Sequence, residues 1–202
     1  MEKTWEEVEK KILLLSPFSK SLHIDVIDGK FVGNLTFLDP TPFSKYKDQI
    51  FLEAHLMVEE PLNYLKPFAA AGFKRFLGHV EKMSDQAEFV AQGQLLGEVG
   101  LALDGPTDLS AIKVSYDDLD CMLFYVSQQV GFSGPPMLPE RLEKVKAFRQ
   151  KSTIPIEVDG GVKDVTIQQA KASGATRFVA TSFISNAPDS KAAFDRLAYL
   201  VR

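Results

Sequence analysis

Leu22-His23-Ile24-Asp25-Val26 is the stretch on which the fold turns. Successive strand side chains point to opposite faces, so Leu22, Ile24 and Val26 share one face while His23 and Asp25 share the other. Two further stretches repeat the arrangement. Glu53-Ala54-His55-Leu56-Met57 groups Glu53, His55 and Met57, and Glu157-Val158-Asp159 groups Glu157 with Asp159 ahead of Gly160-Gly161. Strands with an apolar face for helices to cover and a polar face for the interior are what a parallel barrel requires.

The same rhythm extends outward over the whole chain. Seven β-rich runs are expected as strands, at 22–26, 51–57, 75–80, 99–103, 122–127, 155–158 and 177–181. Amphipathic runs at 61–71, 85–96, 139–149, 165–173 and 191–201 space their apolar residues three and four apart, as helices do. Gly72 and Gly174 stand where helices should stop. Such alternation gives βαβ units and a parallel sheet, either doubly wound or closed as a barrel. No GxGxxG or GxxxxGK loop follows the first strand, and polar residues gather at many strand ends, so a TIM-type (β/α) barrel is favoured. A barrel needs an eighth strand. The chain opens instead with a helical stripe of Trp5, Val8, Ile12 and Leu15. The expectation is one barrel domain over residues 1–202 with its first strand absent or replaced, residues 12–15 being a weak substitute.

Composition narrows the partners. Apolar residues make up 45% of the chain and charged residues 25%, and 23 basic against 27 acidic residues leave a net charge of -4. That balance argues against nucleic acid or an anionic membrane as partner, since both need a basic face. No apolar run approaches the ~20 residues of a membrane span. The single cysteine, Cys121, forms no intramolecular disulfide and lies in an apolar run, which points to a reducing, cytoplasmic setting.

The polar residues of the three strands carry the chemistry. Two imidazoles, His23 and His55, with two carboxylates, Asp25 and Asp159, make a full ligand set for a divalent metal. The bland alternative is four unrelated polar residues, each satisfied in its own loop. A metal holding a carbonyl oxygen and the adjacent hydroxyl oxygen acidifies the carbon between them and stabilises an enediolate. One carboxylate then removes a proton from one face, and a second, kept in its acid form by burial, returns one from the other. Small residues in Gly131-Phe132-Ser133-Gly134, Gly160-Gly161 and Thr181-Ser182 offer backbone N–H groups to a phosphate near the last strands. Glu53 and Glu157 lie deeper by parity, either orienting the imidazoles or forming a polar floor.

Longer motifs carry a resemblance. Leu22-His23-Ile24-Asp25-Val26-Ile27-Asp28-Gly29 with Asn34-Leu35-Thr36-Phe37, Ala54-His55-Leu56-Met57-Val58-Glu59, His79 with Glu81, Gly131 to Gly134, and Glu157-Val158-Asp159-Gly160-Gly161-Val162 resemble, in order and spacing, the ribulose-phosphate 3-epimerase family. The resemblance implies a (β/α)₈ barrel that interconverts ribulose 5-phosphate and xylulose 5-phosphate with one divalent metal ion, commonly zinc, iron, manganese or cobalt. It implies His23, Asp25, His55 and Asp159 as ligands, Asp25 and Asp159 as the acid/base pair, and Met57 as a pocket methionine. Gly131, Phe132, Ser133, Gly134, Gly160, Gly161, Thr181 and Ser182 would hold substrate. Other pocket methionines of the family are here Ile27 and Val126, and the family's Asn-Pro before the glycine-rich loop is Gln129-Val130. The expected partner is a phosphorylated ketopentose, with a homo-oligomer left open. Two other readings stand beside this one: a barrel kept as a binding or assembly scaffold, and an epimerase of another ketose phosphate. A Schiff-base aldolase is disfavoured, because no lysine sits on an inward strand position.

Overall fold

The alternation builds seven parallel strands: β1 (Ser21–Ile27), β2 (Phe51–Met57), β3 (Phe73–His79), β4 (Glu98–Leu103), β5 (Cys121–Tyr125), β6 (Ile156–Asp159) and β7 (Arg177–Phe178). They lie side by side in chain order, in a computed structural model that describes all 202 residues. Helices α1 (Trp5–Leu15), α2 (Leu62–Ala70), α3 (Gln86–Gln94), α4 (Leu142–Arg149), α5 (Ile167–Ala172), α6 (Ser182–Ser185) and α7 (Ser190–Leu200) complete the α/β pattern.

Parity splits the sheet into two faces. Leu52, Ala54, Leu56, Phe76, Leu101 and Phe124 point outward into the large core beneath the helices. A smaller apolar cluster of Ile27, Met57, Leu77, Ala102, Cys121, Leu123, Tyr125 and Val130 fills part of the interior. Most of the remaining inward positions are polar, and the strand register brings Asp25 beside His55 and Asp159 beside Tyr125.

The sheet curls but is not sealed by backbone pairing between β1 and β7. A cavity of about 630 Å³ occupies this seam, lined by Ile12 and Leu15 of α1, His23 of β1 and Phe178 of β7. Residues 12–15 do not form a substitute strand; they are the end of α1. Thr4 and Glu7 cap that helix reciprocally, and its Val8 and Ile12 are buried, so the stretch follows a helical period. Trp5 packs in the same layer, with ring centroids 5.1 Å from Phe43 and 5.8 Å from Phe37. The helical layer continues past the seam through a contact between Phe18 and Phe194 of α7, at 5.3 Å.

The free edge of β1 is partly capped by Thr36. Its hydroxyl accepts from the Ile27 N–H at 2.9 Å and donates to the Asp25 carbonyl at 2.9 Å. The last strand is shorter than the expected 177–181, because Thr181 already opens α6.

Candidate metal and proton-transfer site

β1, β2 and β6 deliver the central side chains. The ligand atoms of His23, Asp25, His55 and Asp159 all lie within 4.8 Å of one another. His55 Nδ1 is 3.0 Å from Asp25 Oδ1 and 3.6 Å from Asp159 Oδ2. His23 Nε2 is 3.4 Å from the same Asp25 oxygen. The two histidines are closely packed, with ring centroids 4.9 Å apart.

Beneath them lies the ionic floor expected from parity. His23 Nδ1 donates to Glu53 Oε1 at 2.5 Å and lies 3.1 Å from Glu157 Oε1. Glu53 in turn is paired with Arg75, whose Nε reaches Glu98 at 2.7 Å. With its Nδ1 proton committed to Glu53, His23 turns Nε2 toward the centre. That atom is buried and has no hydrogen-bond partner. A buried nitrogen without a partner is costly. A cation among His23, Asp25, His55 and Asp159 would satisfy it and offset the charges of the two aspartates, so the residues present fit a divalent metal.

The electrostatics separate the two aspartates. Burial alone would raise the Asp25 carboxyl, but the adjacent imidazoles of His23 and His55 outweigh burial and hold it well below the usual carboxylate range. Asp159 is pushed up to about 7 by burial and then by the negative charge of Asp25. Burial holds His55 down at about 4. Burial also opposes charge on His23, yet the surrounding carboxylates of Asp25, Glu157 and Glu53 raise it well above the ordinary histidine value. Two carboxylates whose environments push them in opposite directions suit one base and one acid.

A second, small cavity lies against the same aspartates. Phe132, Ser133, Gly134, Gly160, Gly161, Thr181 and Ser182 line it together with Asp25 and Asp159. The Gly-Gly turn needs glycine: φ is +105° at Gly160 and +69° at Gly161, and a Cβ on Gly161 would stand 2.1 Å from the Met137 nitrogen. Gly131 and Met57 lie outside both cavities. The Gly131 carbonyl accepts from Asn34 Nδ2 at 2.7 Å, and Met57 is buried in the interior apolar cluster.

Other residues found here escaped the sequence reading. Tyr125 and Lys163 line the small cavity, and Arg75 and Arg177 border the large one. Arg75 shares its parity with Leu77 and His79, a signal that alternation carries. Lys163 sits in a loop, where no periodicity marks it. Asp28, beside the site in sequence, accepts from the N–H groups of Lys30, Phe31 and Glu59 and so organises its loop.

Comparison with known proteins matches residues 5–185 to the model of the family described as ribulose-phosphate 3 epimerase. The chain is 35% identical over 175 residues to the cytoplasmic isoform of ribulose-phosphate 3-epimerase from Oryza sativa subsp. japonica, covering 83% of this chain and 76% of that one. It is 34% identical over 188 residues to ribulose-phosphate 3-epimerase of Schizosaccharomyces pombe, covering 89% of this chain and 82% of that one. Among solved structures, 3-hexulose-6-phosphate synthase from Salmonella typhimurium superimposes with a TM-score of 0.75 at 10% identity, covering 100% of this chain and 95% of that one. KGPDC from Streptococcus mutans gives 0.71 at 12% identity, covering 97% of this chain and 91% of that one. These two likenesses concern the fold alone. No helix is long and apolar enough to cross a membrane.

Proposed function

The chain belongs to the ribulose-phosphate 3-epimerase family, and on that premise we propose that it interconverts D-ribulose 5-phosphate and D-xylulose 5-phosphate. The observation that carries the reading is the meeting of Asp25 and Asp159, with opposed pKa shifts, beside His23 and His55. A divalent cation (zinc, iron, manganese or cobalt) held by His23 Nε2, Asp25, His55 Nδ1 and Asp159 would polarise the sugar's carbonyl and neighbouring hydroxyl and acidify the carbon between. Asp25, kept as the carboxylate, takes the proton from one face of that carbon. Asp159, kept as the acid, gives a proton to the opposite face, and the configuration inverts. The reverse reaction exchanges the two roles. The turns at Phe132 to Gly134, Gly160-Gly161 and Thr181-Ser182 would place backbone N–H groups around the phosphate, with Lys163 adding positive charge.

Incubation with ribulose 5-phosphate in D₂O tests this reading. The expected result is xylulose 5-phosphate carrying deuterium at C3. Asp25→Asn and Asp159→Asn should each lower net epimerisation by roughly 10²–10⁴-fold, the scale of a lost acid or base. Near-normal turnover in either variant would refute the two-carboxylate assignment. Neither exchange nor product from the unaltered chain would favour a scaffold.

A further inference from the structure

His79 and Glu81 stand behind the site and take no part in the reaction proposed above. His79 ends β3 and has no solvent exposure. Its Nε2 lies 3.0 Å from His55 Nε2, while the ring centroids are 5.0 Å apart and the planes differ by 28°. The two nitrogens are closer than the ring centres, so the rings meet edge to edge, and one nitrogen must donate to the other. On the far side His79 Nδ1 faces Glu81 Oε2 at 2.9 Å. The other Glu81 oxygen accepts from the Asp104 N–H at 2.8 Å, and the Phe31 ring covers His79 at 4.7 Å.

The proton positions follow from the partners. A carboxylate only accepts, so His79 Nδ1 carries the hydrogen that points at Glu81. With its hydrogen on Nδ1, His79 offers Nε2 as an acceptor to His55 Nε2–H. On its other side His55 Nδ1 lies 3.0 Å from Asp25 Oδ1, an acceptor that favours the opposite, Nδ1–H form, so the Glu81–His79 pair pulls against Asp25 for the His55 hydrogen. From this geometry we infer that His79 and Glu81 are positioning residues that select the Nε2–H tautomer of His55, leaving its Nδ1 free to ligate a divalent cation. The inference rests on the metal-site reading above. It goes further in giving a function to two residues that are neither ligands of the ion nor part of the phosphate turns. It also makes the two histidine ligands use different nitrogens, Nε2 for His23 and Nδ1 for His55, because each has its other nitrogen held from behind.

The test uses the full chain with Glu81→Gln and His79→Phe. Phe keeps the ring volume but accepts no hydrogen bond, and Gln leaves His79 in place without its carboxylate. Cobalt(II) chloride titrated into metal-free protein reports affinity through heat and through the visible ligand-field bands. ¹⁵N-detected two-bond couplings report the His55 tautomer without any metal. The expected result is a 10–100-fold weaker cobalt affinity in both variants, the usual effect of removing the partner behind a histidine ligand. Loss of the Nε2–H signature of His55 should accompany it. Variants that bind cobalt as tightly as the unaltered chain, with His55 still in the Nε2–H form, would overturn the inference and leave the metal site standing. An unaltered chain that takes up no cobalt would overturn the metal site itself. If His79→Phe fails to fold, Glu81→Gln decides alone.

Discussion

The Cys121 thiol sits on the inner face of β5 with no exposure to solvent. Burial, followed by the charges of Glu157 and Glu53, pushes its pKa up, so the reactive thiolate is scarce at neutral pH. Iodoacetamide is expected to leave the folded protein unlabelled and to modify it once guanidinium has unfolded it, as mass spectrometry would show. Rapid labelling of the folded chain would mean that the interior opens readily. At this scale much of the candidate site was legible. His23, Asp25, His55 and Asp159 announced themselves because alternation alone puts them on the polar face. His79 and Glu81 stood out only as part of the family resemblance, with no role readable, because their geometry depends on how far β3 is offset from β2, and one strand's sequence carries no record of its neighbour's register. Met57 shows the converse: parity placed it inward, as observed, but parity says nothing about depth, and it packs in the apolar cluster.

At the scale of the element, β1 depends on a side chain that belongs to no strand. Thr36 is buried and joins the Ile27 N–H to the Asp25 carbonyl, as an adjoining strand would. Thr36→Val keeps the shape and removes both bonds. Leaving buried backbone groups unsatisfied should cost about 2 kcal/mol, measurable as a lower urea midpoint with an unchanged m-value. Activity is expected to fall further than stability explains, since Asp25 rides on the loosened segment. A variant as stable as the parent would show that water replaces the hydroxyl. The helices other than α6, and β2, were readable from periodicity, and β2 falls at the expected bounds. The end of β7 was not readable. Residues 177–181 look like a strand by composition, yet the element closes at Phe178 because α6 begins with Thr181 as its cap. Edge strands have one partner to hold them, so composition overstates their length.

For the molecule as a whole, the unpaired seam between β1 and β7 decides where the backbone is weakly held. The Lys20 carbonyl accepts from the Phe51 N–H on the β2 side, so by alternation the amides of Leu22 and Ile24 face β2 while those of His23 and Asp25 face the seam. Hydrogen exchange should be faster at His23 and Asp25 than at Leu22 and Ile24, with residue-resolved NMR as the check. Equal protection at all four positions would mean that the seam is closed in solution. A barrel was the right class to expect from seven strands in chain order, but whether its ends meet is a property of closure geometry that no local pattern encodes.

The same seam gives the proposed ion site a mechanical meaning. His23 and Asp25 stand at one end of the curled sheet, on β1, and Asp159 near the other, on β6. Side chains rather than peptide groups reach across, as in the approach of His23 to Glu157. A cation grasped from both ends would work as a rivet, drawing the lips of an open cylinder together. Loading the catalyst and fastening its scaffold would then be one event, and a chelator would strip both at once.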